Sequence, residues 1–285
     1  MTGAITATAA GVIDVGGDLT VNRLGFGAMR ITGEGIWGPP QNLPEAKKVL
    51  RRLIDLDVNF IDTADSYGPE VSEQLIGEVL YPYPDDLVIA TKAGLERPGP
   101  GQWVPNGRPK HIRQACEGSL RRLRLDCIAL YQFHRPDPKV PLEESIGAFI
   151  DLKEEGKIRH IGISNVTEDE LRQAQELTPI VSIQNRYNLM DRRSEDLIDL
   201  CDQEDLVLLP WGPLGDAETG PVSEIAARHS ATVQQIVLAW ELARSPQMLP
   251  IPGTSSVAHL EQNVAAANIK LDPEEIEELN HLKQA

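Results

Sequence analysis

Short apolar runs alternate along this chain with longer stretches in which apolar positions recur every three or four residues, the pattern of strands followed by helices. The first feature is different: Val12–Val15 and residues 19–21 flank Gly16-Gly17-Asp18 and predict a β-hairpin. Strand-like runs then occur at residues 24–27, 58–61, 87–91, 128–133, 158–163, 180–184, 207–209 and 248–251. A helical pattern follows each of them. The first opens at Asn42, a capping residue type with Glu45 three positions on, ahead of Val49, Leu50, Leu53 and Ile54. The others fall at 72–80, 111–123, 142–155, 168–177, 193–204, 233–243 and 257–267, and two additional helices are predicted at 221–229 and 273–282.

A helix between successive strands makes those strands parallel neighbours. Eight such units in about 250 residues predict an α/β fold, a (β/α)₈ TIM barrel with an N-terminal β-hairpin and two extra helices. With no internal linker, repeat or low-complexity stretch, residues 1–285 are expected to form one domain. An open doubly wound sheet is the alternative. It would place a Gly-rich fingerprint after the first strand, and Gly25-Phe26-Gly27-Ala28-Met29-Arg30 lacks the third glycine. Residues 93–109, rich in Gly and Pro, are the longest irregular segment, and a loop that long inside a domain is usually functional.

Composition narrows the class of protein. The 285 residues carry 27 Lys and Arg against 43 Asp and Glu, a net charge of −16. That excess opposes phosphate, so neither nucleic acid nor an anionic membrane is an expected partner. At 41% hydrophobic the chain has material for a core, yet no run approaches 18 apolar residues. The first basic residue is Arg23, so the start lacks the positive region of a signal peptide. Cys116, Cys127 and Cys201 are odd in number and scattered, which fits a reducing cytoplasm and makes no zinc site. The expectation is a cytoplasmic enzyme without a metal.

In a barrel of this kind the chemistry collects at the C-terminal ends of the strands. Asp62 stands after the second run, with Tyr67 in the loop beyond it; Lys92 follows the third, His134 the fourth, Ser164-Asn165 the fifth, Gln184 the sixth and Trp211 the seventh. Each has an ordinary explanation. Asp62 and Ser164-Asn165 suit helix or turn caps, Tyr67 a rim aromatic, Lys92 a snorkelling lysine, His134 a satisfied core histidine, and Gln184 a bond to a neighbouring strand. All seven at one mouth would be a run of coincidences. An aspartate beside a lysine forms an ion pair, and the ammonium near a tyrosine hydroxyl is expected to favour phenolate. A lowering of two or three units from about 10 would bring Tyr67 into general-acid range. The histidine can orient a carbonyl oxygen. Tyr67, His134 and Lys92 therefore suit protonation of an aldehyde or ketone oxygen as hydride arrives from a cofactor. Ser164, Asn165 and Gln184 offer the donors and acceptors that a nicotinamide carboxamide needs, and Trp211 a flat face for its ring. A barrel lyase or hydrolase would need a metal or a carboxylate pair, and His134-Arg135-Pro136-Asp137 supplies neither.

The motifs Asp62-Thr63-Ala64-Asp65-Ser66-Tyr67-Gly68, Ala90-Thr91-Lys92, Gln132-Phe133-His134-Arg135-Pro136, Gly162-Ile163-Ser164-Asn165, Gln184-Asn185-Arg186-Tyr187-Asn188 and Ile251-Pro252-Gly253-Thr254-Ser255-Ser256 resemble those of the aldo-keto reductase superfamily. The similarity runs in order from about residue 24 to 263. It implies a barrel closed below by the hairpin and NADP(H) bound in an extended pose. It also implies that Tyr67 is the general acid, Lys92 and Asp62 its tuning pair, and His134 the residue that orients the substrate. The cofactor residues implied are Gly27, Ala28, Met29, Asp62, Ser164, Asn165, Gln184, Trp211 in place of the commoner Tyr or Phe, Gly212, Pro213, Leu214 and Gly215. At the adenosine phosphate end they are Gly253, Thr254, Ser255, Ser256, His259, Gln262 and Asn263. Longer members often carry Lys and Arg where this chain has Gly253 and His259, so the expected preference for NADP(H) is moderate and NAD(H) binds with lower affinity.

The chain stops soon after its last helical pattern, so substrate specificity is expected from residues 29–40 and 95–109. Trp37 and Trp103 in those loops either line the pocket or pack on the rim. Gly38-Pro39-Pro40 and residues 80–86 resemble a bacterial subgroup that includes pyridoxal or pyridoxine oxidoreductases. A cofactor-binding interaction module with little turnover is the alternative function; NADPH oxidation with a panel of aldehydes separates the two.

Overall fold

The computed structural model describes residues 5–215 and 220–282. Strands β1 (Val12–Val15) and β2 (Leu19–Asn22) precede β3 (Phe26–Gly27), α1 (Leu43–Asp55), β4 (Phe60–Asp62) and α2 (Val71–Leu80). Next come β5 (Val88–Ala93), β6 (Leu95–Glu96), β7 (Val104–Pro105), α3 (Pro109–Leu123), β8 (Ile128–Phe133), α4 (Leu142–Glu154), β9 (Ile158–Ser164) and α5 (Glu168–Leu177). The chain continues through β10 (Ser182–Gln184), α6 (Glu195–Glu204), β11 (Val207–Leu208), α7 (Gly220–Arg228), α8 (Val233–Arg244), α9 (Val257–Ala265) and α10 (Pro273–Asn280). Seven strands pair in parallel in the order β3-β4-β5-β8-β9-β10-β11.

The eighth position belongs to residues 248–251, and the expected strand there reduces to a bridge between Met248 and Leu208. Pro250 and Pro252 lack the N–H groups that a continuous ladder requires. The segment still closes the (β/α)₈ barrel: Leu249 N–H donates to Leu208 O at 2.9 Å, and Gly25 N–H donates to Pro250 O at 2.9 Å. Gly27 and Gly253 meet back to back at this seam. A Cβ on Gly253 would stand 2.4 Å from Gly27 O, and one on Gly27 2.6 Å from Ile251 O.

The predicted hairpin is present, and it plugs the barrel. Ile13, Val15, Leu19 and Val21 pack against Phe60, Val88, Ala90, Leu130, Val207, Leu209, Leu249 and Ile251, the lower residues on the inner face of the wall. Asp18 in its turn bonds the His160 ring at 2.6 Å and pairs with Arg159, which fastens the plug to the start of β9. Outside the wall, α1 buries Val49, Leu50 and Leu53 of its predicted stripe together with Ala46, Ile54 is half-buried, and Asn42 caps the helix by accepting from Glu45 N–H. Capping boxes start α5, α8 and α10.

Residues two apart on a strand share a face, and here the inner face changes character along the axis. Phe60 gives way to Asp62, Ala90 to Lys92, and Leu130 to Gln132 and then His134. The register sets Lys92 beside Gln132 and Ser164 beside Gln184. A polar layer thus lies over an apolar plug. Gly162 makes room for it, since a Cβ there would stand 2.3 Å from Ser182 Oγ and 3.0 Å from Gln132 Cγ.

Residues 93–109 are not wholly irregular: β6 and β7 form a small antiparallel pair, Leu95 with Pro105 and Glu96 with Val104. Its two-residue strands are too short to register as periodicity. Among the described residues no helix is long and apolar enough to cross a membrane, and no three His, Cys, Asp or Glu side chains group as metal ligands would.

Candidate active site

At the upper end of the barrel Lys92 is fully buried, and its ammonium makes three contacts. It donates to Asp62 Oδ2 at 2.6 Å, to Thr63 O at 2.8 Å and to Tyr67 Oη at 3.3 Å. Burial works against the charge of Lys92, but the Asp62 carboxylate and the Tyr67 hydroxyl outweigh it and raise its pKa. The second Asp62 oxygen accepts from Gln132 Nε2 at 3.0 Å and Gln184 Nε2 at 2.7 Å. Bonds of this kind to a buried ion contribute about 1.5–3 kcal/mol each and hold the pair in one geometry.

The tyrosine departs from the sequence expectation. Burial raises the Tyr67 pKa, and the opposing pull of Lys92 is offset by Asp62 on the ammonium's other side, so the net direction is upward. A lysine already neutralised by a carboxylate 2.6 Å away leaves too little field to stabilise a phenolate. Tyr67 therefore holds its proton through the neutral range.

His134 is buried, and desolvation together with Lys92, Arg135 and Arg97 pushes its pKa well below the usual histidine range. Its ring stays neutral. Nδ1 lies 3.3 Å from Ser66 Oγ, and Nε2 has no partner among the described residues. The Tyr67 and His134 rings stand edge to face at 5.8 Å, and Trp103 completes a triangle at 6.4 Å from each. Trp103 thus faces the site. Trp37 stands further out, 5.6 Å from the Arg97 guanidinium, in a loop held to the tyrosine loop by Gly38 N–H donating to Gly68 O.

Ser164, Asn165, Gln184 and Trp211 adjoin this group. Asn165 has a left-handed φ of 58° and donates to His134 O at 3.0 Å and Ser164 Oγ at 2.9 Å. Trp211 Nε1 donates to Asn165 Oδ1 at 3.1 Å, which fixes the indole at the rim. The Gln184 amide nitrogen donates to Asp62 Oδ1 at 2.7 Å and reaches Gln132 Oε1 at 3.4 Å, so of the donors and acceptors expected of it for a carboxamide, its Oε1 is the group left over among the described residues. A cavity of about 510 Å³ opens beside Trp211, lined also by Arg135, Asn165, Arg186 and Arg193.

The remaining expected residues fall in three segments of the chain, of which the first, at Gly27, pairs with Asp62. Gly27 ends β3, Ala28 O accepts from Ser72 Oγ, and Met29 O accepts from Thr32 Oγ1. Asn188 Nδ2 donates to Gly212 O, and Pro213, Leu214 and Gly215 follow up to the last described residue before 220. Beyond Gly253, Thr254 Oγ1 accepts from Ser256 N–H at 3.1 Å and Ser256 Oγ caps α9 by accepting from His259 N–H. Val257 N–H donates to Glu45 Oε1 at 3.1 Å. At this helix start the Ser256 N–H is taken internally and a carboxylate occupies the next one. Ser255, His259 and Gln262 are exposed, and Asn263 is buried.

Sequence reading missed Gln132, Ser66 and Arg97. Gln132 carried a signal, as the one polar side chain in the apolar run of β8. Ser66 and Arg97 carried none, because their partners come from other loops.

Comparison with known proteins follows the same lines. The model of the aldo/keto reductase family matches residues 23–217 and 216–284. An uncharacterized oxidoreductase of Schizosaccharomyces pombe is 49% identical over 95% of this chain and 89% of its own length. Pyridoxine 4-dehydrogenase of Escherichia coli is 40% identical over 94% of this chain and 97% of its own. Among solved structures, an aldo-keto reductase from Klebsiella pneumoniae in complex with NADPH superposes with a TM-score of 0.79 at 30% identity, covering 94% of this chain and 93% of that one.

Proposed function

Since the chain belongs to the aldo/keto reductase family, we propose that it is an NADP(H)-dependent oxidoreductase that reduces an aldehyde or ketone to an alcohol, with Tyr67 as the proton donor. The observation that carries this reading is the buried contact of Lys92 with both Asp62 and Tyr67, beside a neutral His134.

A bound nicotinamide dinucleotide supplies the hydride, which no side chain carries. The residues present suit such a group. The cavity beside Trp211 sets Asn165 and Arg135 against a flat indole, while Arg186 and Arg193 in its lining pair with Asp191. Ser164, Asn165 and Trp211 would hold the nicotinamide end. The segment from Gly253 to Asn263, with Thr254, Ser255, Ser256, His259 and Gln262, would hold the adenosine end, and residues 27–29 and 212–215 would border the path between them.

With Ser66 Oγ–H donating to Nδ1, the His134 proton sits on Nε2, which then donates to the substrate oxygen. Tyr67 Oη–H donates to the same oxygen and delivers its proton as negative charge builds there. Lys92, held in place by Asp62, keeps its hydrogen bond to Tyr67 Oη as the proton leaves. Trp103 stands edge to face with both rings, 6.4 Å from each. The pyridoxine 4-dehydrogenase relative makes pyridine carbaldehydes the first substrates to try. The whole chain acts as one barrel domain in this reading.

The test is NADPH oxidation with a panel of aromatic and aliphatic aldehydes, alongside a binding titration. Turnover that depends on Tyr67 and His134 supports the reading. NADPH bound tightly with no turnover of any carbonyl would replace it with a cofactor-binding module.

A further inference from the structure

Arg97 is 8% exposed, and among the described residues no carboxylate lies within salt-bridge distance of it. Its guanidinium instead reaches four backbone carbonyls: Gln102 O at 2.9 Å through Nε, Ile36 O and Ser66 O both at 3.0 Å through one terminal nitrogen, and Gly35 O at 3.1 Å through the other. Those oxygens belong to three separate loops at the barrel mouth. One carries Trp37, one carries Trp103, and one carries Tyr67 next to Ser66. The flat face of the same guanidinium lies 3.6 Å from the centre of the Trp103 ring. A planar fork with fixed donor directions can bridge several carbonyls and stack at once, which a lysine ammonium is not shaped to do.

We propose that Arg97 is a positioning residue that acts through Trp103: it holds the indole against Tyr67 and His134 and so sets the pocket for flat, conjugated carbonyl compounds. This deepens the reading of the site as a carbonyl reductase and rests on it. Trp103 lies in the loop that joins β6 to β7 and also carries Arg97, and the Arg97 stack is its closest aromatic or cationic contact among the described residues. Without the stack the indole gains freedom, and a flat substrate loses one wall. A small aliphatic aldehyde, which needs only the Tyr67 and His134 contacts, is affected far less.

The experiment compares Arg97→Lys, Trp103→Leu and the double variant, with pyridine-4-carbaldehyde and propanal as probe substrates. Either single change is expected to raise KM for the pyridine aldehyde by about tenfold, with kcat, the Kd for NADPH and the KM for propanal within about twofold of wild type. The double variant is expected to match Trp103→Leu alone, because the arginine acts through the ring. Arg97→Lys with an unchanged KM for pyridine-4-carbaldehyde overturns the proposal, as do losses that multiply in the double variant. Equal damage to both aldehydes also overturns it, since that marks a general structural role. Wild-type enzyme that turns over neither aldehyde counts against the reductase reading instead, and is told apart by that control.

Discussion

Replacing Tyr67 by Phe removes one oxygen from the polar layer and tests the proposed chemistry directly. The structure sets two magnitudes. For stability, the lost contact is the longest of the three made by Lys92, 3.3 Å against 2.6 Å to Asp62 and 2.8 Å to Thr63 O. The ammonium keeps its two better partners, so the expected cost is at most about 1 kcal/mol and a few degrees in Tm. For catalysis, general-acid assistance is commonly worth about 10²–10⁴, or roughly 2.7–5.4 kcal/mol at 1.36 kcal/mol per decade. The rate should therefore collapse in a protein that still folds. Binding of NADPH should stay within about twofold, because Ser164, Asn165 and Trp211 are untouched. The pH profile sharpens the test. The reducing direction needs Tyr67 protonated and His134 neutral; burial pushes the first pKa up and the second down, so wild-type kcat should be flat from about pH 6 to 9. Had Lys92 lowered the tyrosine pKa instead, the rate would fall across that range. The assay is NADPH oxidation with a pyridine carbaldehyde, paired with a fluorescence titration of the cofactor. A Phe variant that keeps half of wild-type turnover would refute the assignment of the proton donor.

Three other changes probe separate parts of the molecule. Trp211→Ala should abolish the quench of protein fluorescence on NADPH binding and weaken the Kd severalfold, as loss of a stacked aromatic pair does; an unchanged Kd would place the indole away from the ring. Glu45→Gln removes a negative charge from the start of α9, where it accepts from Val257 N–H, and should favour NADPH over NADH by about two- to fivefold in the Kd ratio. No change in that ratio would show that this helix end does not read the 2′-phosphate. Glu241 is fully buried with both oxygens unpartnered among the described residues, and desolvation raises its pKa well above the usual value. The folded state thus keeps a proton that the unfolded chain releases near pH 4.3, and stability falls by about 1.4 kcal/mol per pH unit above that until the folded group titrates. Glu241→Leu should raise Tm, and by more at pH 8 than at pH 5; an equal gain at both would mean that the carboxyl does not titrate differently on folding.

The succession of strands and helices was legible because each element carries its own period and its own caps. Asn42 before α1 is a local signal with a local cause. The chemistry-bearing residues were legible for a related reason. In a parallel barrel the end of every strand faces the same mouth, so Asp62, Lys92, His134 and Ser164 could be gathered without coordinates. What depended on summed fields and on meetings between distant loops was not legible. The direction of the Tyr67 pKa is a balance among burial, Lys92 and Asp62, and only the positions of all three decide it. The side chain of Gln184 bonds a residue 122 positions away, so its role as a support of the ion pair had no trace nearby in the chain. Arg97 and its four carbonyls follow the same logic: backbone oxygens carry no sequence identity, and a side chain that reads only them is visible only once the loops are folded against it.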